Sequence, residues 1–252
     1  MAGHSKWSQI KRKKAAEDSK RGKLFGKLIR EITVAAREGG GDPGANPRLR
    51  LAIDNAKAAN MPKDNIEKAI LRGTGELPGS SFEEVTYEGY GPGGVAIFVE
   101  AVTDNTNRTV ADIRRILERH GGNLGRDGVV AWNFERRGEL VVDARRYAEE
   151  AALEAALEAG AEDMQRDGDI YLIVTNPTSF HELQGSLRER GIVISEANLV
   201  MNPKTTVHVE GRDAERLLAL LEALEDQDDV QSVYSNLDID ETVLAELAGA
   251  GG

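Results

Sequence analysis

The amino-acid sequence predicts a multidomain α+β fold, with a helical N-terminal domain followed by two α+β domains. Two observations carry that prediction. Up to about residue 75 apolar residues recur at helical spacing, whereas from Phe82 onward short β-branched and aromatic runs alternate with helical stretches. Charge divides at the same place: residues 1–75 hold 17 Lys plus Arg against 8 Asp plus Glu, and the remainder holds 15 against 35. The formal net charge of −11 therefore conceals a basic head, at +9, on an acidic body, at −20.

The first helix is predicted in KLFGKLIREITVAAREGGG, where Leu24, Phe25, Leu28, Ile29, Ile32, Ala35 and Ala36 share a face and glycines end the run. Asn46 before Pro47 reads as an N-cap with proline at the first helical position, opening PRLRLAIDNAKAAN. Pro62 opens a third helix that Gly73 closes, and GTGELPGSS, residues 73–81, is a linker. Next come the strands EEVTYEGY and GVAIFVEAVT, the helix RTVADIRRILERHG and the strand GVVAWNFERRG.

After Gly138 the order is ELVVDA, a helix over 144–159, the strand IYLIVT, a helix over 179–190 and the strand GIVISEANLV, which is similar to part of a split-βαβ sandwich. TTVHVEG, a helix over 213–224 and VQSVYSNL then complete the middle domain. The expected domains are 1–75, 82–138 plus 203–238, and an inserted 139–202.

Gly89, Gly91 and Gly94 have the G-x-G-x-x-G spacing of a dinucleotide loop, but a strand follows them where that loop requires a helix N-terminus. They read as a hairpin turn, and no nucleotide cofactor is expected. The chain has no cysteine, which excludes disulfides, thiolate nucleophiles and cysteine-based zinc sites. No run approaches the roughly 18 apolar residues of a membrane span, and no apolar signal stretch opens the chain, so a soluble cytoplasmic monomer without a membrane partner is expected.

Walker, His-Glu-x-x-His, Gly-x-Ser-x-Gly and EF-hand patterns are absent, and His4, His120, His181 and His208 lie far apart. No catalytic residue, metal or cofactor is expected. A hydrolase in the acidic domains is the low-ranked alternative.

The positive signal is the N-terminal arm. His4, Lys6, Trp7, Lys11, Arg12, Lys13, Lys14, Lys20, Arg21, Lys23, Lys27 and Arg30 crowd one short span. At about 100° per residue, Lys20, Lys23, Lys27, Arg30 and Arg37 fall within an arc of roughly 100°, apart from an apolar arc of roughly 140°. Such a helix packs one side on its neighbours and offers a cationic stripe to the phosphates of DNA or RNA. Trp7 either stacks on a base or caps the core. The second signal is TDNTNRT, which sets Asp104, Asn105, Asn107, Arg108 and Thr109 where a strand meets a helix. There they form either an anion-binding surface, with Arg108 as a phosphate fork, or a helix cap made by Asn107 or Asp104.

Four stretches, GHSKWSQIKRKK, DPGANPRLRLAIDNAKAANMPKDNIEKAI, YEGYGPGGVAIFVEAVTDNTNRT and GGNLG.DG.VAW.FER.G, closely resemble the YebC family across essentially the whole chain. Its members carry the name probable transcriptional regulators and are related to a mitochondrial translational activator of cytochrome c oxidase. The resemblance implies a helical first domain and two α+β domains, the third, ferredoxin-like, inserted in the second. It implies a regulator of gene expression, described either as a DNA-binding transcription regulator or as a translation factor that relieves ribosome stalling. The matching positions are the arm from His4 to Arg30 and the loop Asp104 to Thr109. Nucleic acid is the expected partner: ribosomal or transfer RNA with the ribosome, or DNA. Because the motif begins at residue 2, a cytoplasmic form without a presequence is expected. Thr106 and Leu117 depart slightly from the pattern, and Asn133 stands where an apolar residue is usual, which questions the packing of that strand.

Overall fold

A computed structural model describes the backbone of residues 18–240 and the side chains of residues 22–240. The chain divides into two compact units, residues 136–201 and the remainder.

The larger unit begins with α1 (Asp18–Gly39), α2 (Pro47–Ala58) and α3 (Lys63–Gly73). Ile32, Ala35 and Ala36 of α1 pack with Leu49, Ala52, Ile53 and Ala56 of α2 and Ile66 and Ala69 of α3. Half of the buried residues of this core are alanines, and a Cβ on Gly73 of α3 would collide with Thr33 O of α1, so these two helices approach closely. Leu24 belongs to the same predicted face yet is 45% exposed. At 22 residues, α1 outruns partners of 12 and 11 residues, and its first turns have less to pack on.

Asn46 closes two helix ends at once. Its Oδ1 accepts from Leu49 N at 3.0 Å, the expected N-cap of α2, and its Nδ2 donates to Ala35 O and Gly40 O at 2.8 and 2.9 Å.

The sheet of this unit has the order β3-β1-β2-β9, formed by Asn123–Leu124, Glu83–Tyr90, Ala96–Thr103 and Val230–Ser235. β1 and β2 are an antiparallel hairpin in which Glu83 faces Thr103 and Tyr90 faces Ala96. The glycine-rich stretch is its turn, with Gly93 and Gly94 at φ 71° and 76°, a region that side chains with a Cβ avoid. Helices α4 (Thr106–Arg119) and α7 (Gly211–Glu225) bury Ile113, Leu117, Leu217, Leu220, Leu221 and Leu224 against Ile97, Val99 and Val233 of the sheet.

The single strand predicted for GVVAWNFERRG is half turn: β4 begins at Phe134, and residues 131–133 form a 3-10 turn. The cause is Glu88, whose buried carboxylate accepts from Gly128 N, Val130 N and Ala131 N at 2.7, 2.7 and 2.8 Å. Amides taken by a side chain are withheld from a neighbouring strand.

Asn133 is likewise not a packing fault. It is buried because its Oδ1 accepts from Thr205 N and its Nδ2 donates to Thr205 O, at 3.0 and 3.1 Å. TTVHVEG contributes only β8 (Val207–His208), paired in parallel with β10 (Leu237–Asp238).

The smaller unit runs β4 (Phe134–Asp143), α5 (Glu149–Glu158), β5 (Asp163–Asp167), β6 (Ile170–Thr175), α6 (Phe180–Glu189) and β7 (Ile194–Pro203). With the sheet order β5-β6-β4-β7, this is the ferredoxin-like βαββαβ sandwich. β5, of sequence DMQRD, has no predicted counterpart, because it lacks both alternation and β-branched residues.

Since one buried amide satisfies backbone groups of two helices, Asn46→Ala is expected to destabilise the protein by about 2–3 kcal/mol, above an ordinary cap. Urea denaturation checks this, and a loss below about 0.5 kcal/mol would contradict the double role.

Candidate nucleic-acid interface

Of the predicted arm, His4, Lys6, Trp7, Lys11, Arg12, Lys13 and Lys14 lie outside the described residues, and Lys20 and Arg21 have only their backbone described, within α1. The next three cations have protein partners. Lys23 Nζ donates to Asp226 O at 3.1 Å, Lys27 Nζ to Glu225 O at 2.6 Å, and Arg30 to Asp228 O. Glu225 and Asp226 stand at the C-terminal end of α7, and Asp228 lies in the turn that follows. A helix leaves its last carbonyls without intrahelical donors and concentrates partial negative charge there. The last turn of α7 has no basic residue of its own, and α1 supplies the cations across the seam. The stripe expected to face phosphates is, from Lys23 to Arg30, in contact with protein carbonyls. Arg37 reaches Ser81 Oγ at 3.4 Å.

Asp229, just before β9, is the centre of this seam, with only 3% of its surface exposed. Arg30 lies 3.4 Å from its Oδ1, while Arg108 and the Thr109 hydroxyl donate to Oδ2 at 2.9 and 2.7 Å. Its backbone carbonyl accepts from Val102 N at 2.8 Å. Burial alone would raise the Asp229 carboxyl. The hydrogen bonds from Arg108 and Thr109, with the charges of Arg108 and Arg30, outweigh it and hold the group below its ordinary 3.8. Arg30 also stands over the Phe82 ring, 5.7 Å from its centroid.

The loop Asp104 to Thr109 is therefore both cap and clamp. The N-cap is Asn105, whose side chain accepts from Arg108 N at 3.0 Å; neither Asn107 nor Asp104 fills that role, and the helix begins at Thr106. A cap side chain reaches the amide three residues on, and Asn105 has the extended backbone that this requires. Asn107 is exposed. Arg108 bridges Asp104 Oδ1 and Asp229 Oδ2, each at 2.9 Å, so its fork already has carboxylate partners.

A second ionic cluster joins the helical head to β1. Arg48 contacts Glu31 at 3.1 Å and Glu38 at 2.6 Å, and its Nη1 donates to Glu84 at 3.0 Å. Burial raises the Glu31 carboxyl despite the opposing Arg48 charge. The same burial disfavours the Arg48 charge, but the Glu84 and Glu31 carboxylates more than offset it.

Trp132 is the feature that sequence reasoning missed. It is 65% exposed, the most open of the large apolar side chains described. The available signal was a tryptophan within the turn-rich GRDGVVAWN, there read as strand. Among the described residues no group of three His, Cys, Asp or Glu is placed to hold a metal, and no helix is long and apolar enough to cross a membrane.

Two family models match the chain: the TACO1/YebC protein N-terminal domain over residues 5–76, and the TACO1/YebC second and third domain over residues 82–237. A probable transcriptional regulatory protein of Dictyoglomus turgidum is 56% identical over 249 residues, covering 98% of this chain and 100% of that one. A protein of the same name from Rubrobacter xylanophilus is 56% identical over 250 residues, 99% of this chain and 100% of its own. The crystal structure of a conserved hypothetical protein from Aquifex aeolicus superposes with a TM-score of 0.84 at 50% identity, over 89% of this chain and 93% of that one.

Replacing Asp229 with alanine is expected to cost about 2–3 kcal/mol, because the Arg108, Thr109 and Arg30 groups lose a shared acceptor. The folded pKa lies below the unfolded value of about 3.9, so this contribution is present above about pH 5 and is lost as pH falls through the lowered folded value. The melting temperature of Asp229→Asn should accordingly fall less than that of wild type between neutral and strongly acidic pH. Parallel acid profiles for the two proteins would refute the assignment.

Proposed function

Because the chain belongs to the TACO1/YebC family, we propose that it is a non-enzymatic, nucleic-acid-binding regulator of gene expression, acting in the cytoplasm as a monomeric translation factor on the ribosome and its RNA to relieve stalling. The observation that carries this reading is the segregation of charge, 17 basic against 8 acidic residues in the first 75, with Lys11, Arg12, Lys13 and Lys14 in succession. Since Lys23, Lys27 and Arg30 are engaged at the end of α7, the phosphate contacts are assigned to the arm before them.

Folded RNA is favoured over an operator by the state of α2. Its Arg48 is held by carboxylates, and its Arg50 donates to Pro43 O and Gly44 O at 2.9 and 3.0 Å. A helix whose arginines are committed in this way is poorly equipped to read base edges in a major groove. Recognition by phosphate and shape suits structured RNA. The second reading, a DNA-binding transcriptional regulator, draws its support from the names of the bacterial relatives.

Crosslinking in cells followed by sequencing of the bound nucleic acid separates the two readings, with ribosomal or transfer RNA expected and promoter DNA supporting the second. Replacing Lys11, Arg12, Lys13 and Lys14 with glutamine should weaken binding and flatten its salt dependence by roughly 0.7–0.9 in log–log slope for each phosphate no longer neutralised. The melting temperature should stay put. Unchanged affinity at low salt would sink the assignment of the arm.

A further inference from the structure

We propose that Trp132 is a stacking platform for an unpaired base of single-stranded nucleic acid, with Lys204 placed for the adjoining phosphate; this rests on the nucleic-acid-binding reading and gives it a specific contact. The tryptophan is held on both sides. Before it, Glu88 gathers three loop amides with its side chain, and its main-chain oxygen accepts from Gly125 N at 2.8 Å, which ties the start of the loop to β1. After it, Asn133 is paired with Thr205, and Lys204 N donates to Asn133 O at 2.7 Å.

The indole itself is tied down. Its Nε1 donates to Val129 O at 3.0 Å, the same carbonyl that accepts from the Tyr90 hydroxyl at 3.2 Å. With its one polar hydrogen satisfied, the ring offers a partner only its π surface. A ring fixed before binding loses little conformational entropy when a base stacks on it.

The surroundings favour a base over a protein partner. An aromatic anchor of a protein interface commonly sits within a desolvated apolar patch. Here the exposed residues of the two flanking segments are Arg126, Asp127, Gly128, Lys204, Thr205 and Thr206. Lys204 Nζ donates to Trp132 O at 3.0 Å, which occupies one of its three hydrogens and ties the ammonium to the main chain of the tryptophan. An aromatic face with an adjacent cation is the arrangement that holds single strands, one group taking the base and the other the backbone.

The chain has two tryptophans, so in a Trp7→Phe background Trp132 is the sole indole fluorophore. That protein would be titrated at low salt with an oligouridylate of roughly 12 nucleotides and with an RNA duplex of equal length. Quenching of Trp132 emission by the single strand is expected. Trp132→Ala should lower single-strand affinity about 5- to 160-fold, the range for loss of one stacked base, while Trp132→Tyr keeps most of it and duplex affinity is unchanged.

Single-strand binding of wild-type strength by Trp132→Ala, without quenching in the parent, overturns the platform. If glutamines at residues 11–14 still abolish that binding, the functional reading survives alone. Absence of any nucleic-acid binding by the chain with both tryptophans intact overturns both. Loss of ribosome cosedimentation in Trp132→Ala with oligouridylate affinity intact assigns the ring to a protein contact and likewise overturns the platform.

Discussion

The placement of the helical head rests on one buried carboxylate. Asp229 collects Arg30 from α1, Arg108 and Thr109 from the first turn of α4 and, through its main chain, Val102 of β2. A carboxylate this enclosed is tolerated only where donors surround it, because desolvation otherwise outweighs the attraction between the charges. Position 229 can thus be acidic only if all three elements close on it. The α7 terminus reinforces the requirement, since its last turn has no cation of its own and its final carbonyls take Lys23 and Lys27. Head and sheet are coupled by mutual electrostatic need at this seam, and the exposed part of it, such as Lys23 with Asp226, is open to screening by salt.

This changes what the charge asymmetry means. Read from composition, a basic head on an acidic body points outward to phosphate. Part of that asymmetry is internal, because Lys23, Lys27, Arg30 and Arg48 meet carbonyls and carboxylates of the same chain. The two uses draw on the same physics, since a helix C-terminus and a phosphate backbone both present clustered oxygen acceptors. Counting cations in a sequence cannot separate them. Only the positions of the acceptors can, and for Lys23 and Lys27 those lie about 200 residues away along the chain.

What the sequence made legible was local. The three head helices, the Asn46 cap, the glycine turn of the β1–β2 hairpin and the alternation of strand and helix all follow from spacing and from residues that act on their own neighbourhood. What it hid was action at a distance. Arg108 looks like an open phosphate fork until Asp229, 121 positions on, is brought beside it. GVVAWNFERRG reads as one strand until Glu88, from β1, takes its first amides. Polar Asn133, unexpected in a strand, is explained by Thr205, 72 positions away. β5 was missed for a different reason: an exposed polar edge strand takes its conformation from β6 and leaves little trace in its own residues.

Glu88 and Asn133 show how such long-range capture produces exposure. A buried side chain that satisfies loop amides permits a turn where the pattern favours a strand, and the turn projects a residue that a strand would have laid against the sheet. Trp132 sits between these two anchors, which is why a large apolar ring stands in solvent without being loose. On the reading proposed above, the molecule then holds its ligand by phosphate contacts from a basic arm and by stacking on a fixed ring. Neither mode reads base identity, because every nucleotide has a phosphate and every base a π face. Selectivity under that scheme is set by where unpaired, accessible nucleotides occur, a matter of the partner's shape, which suits a factor that engages one folded RNA assembly irrespective of the message on it.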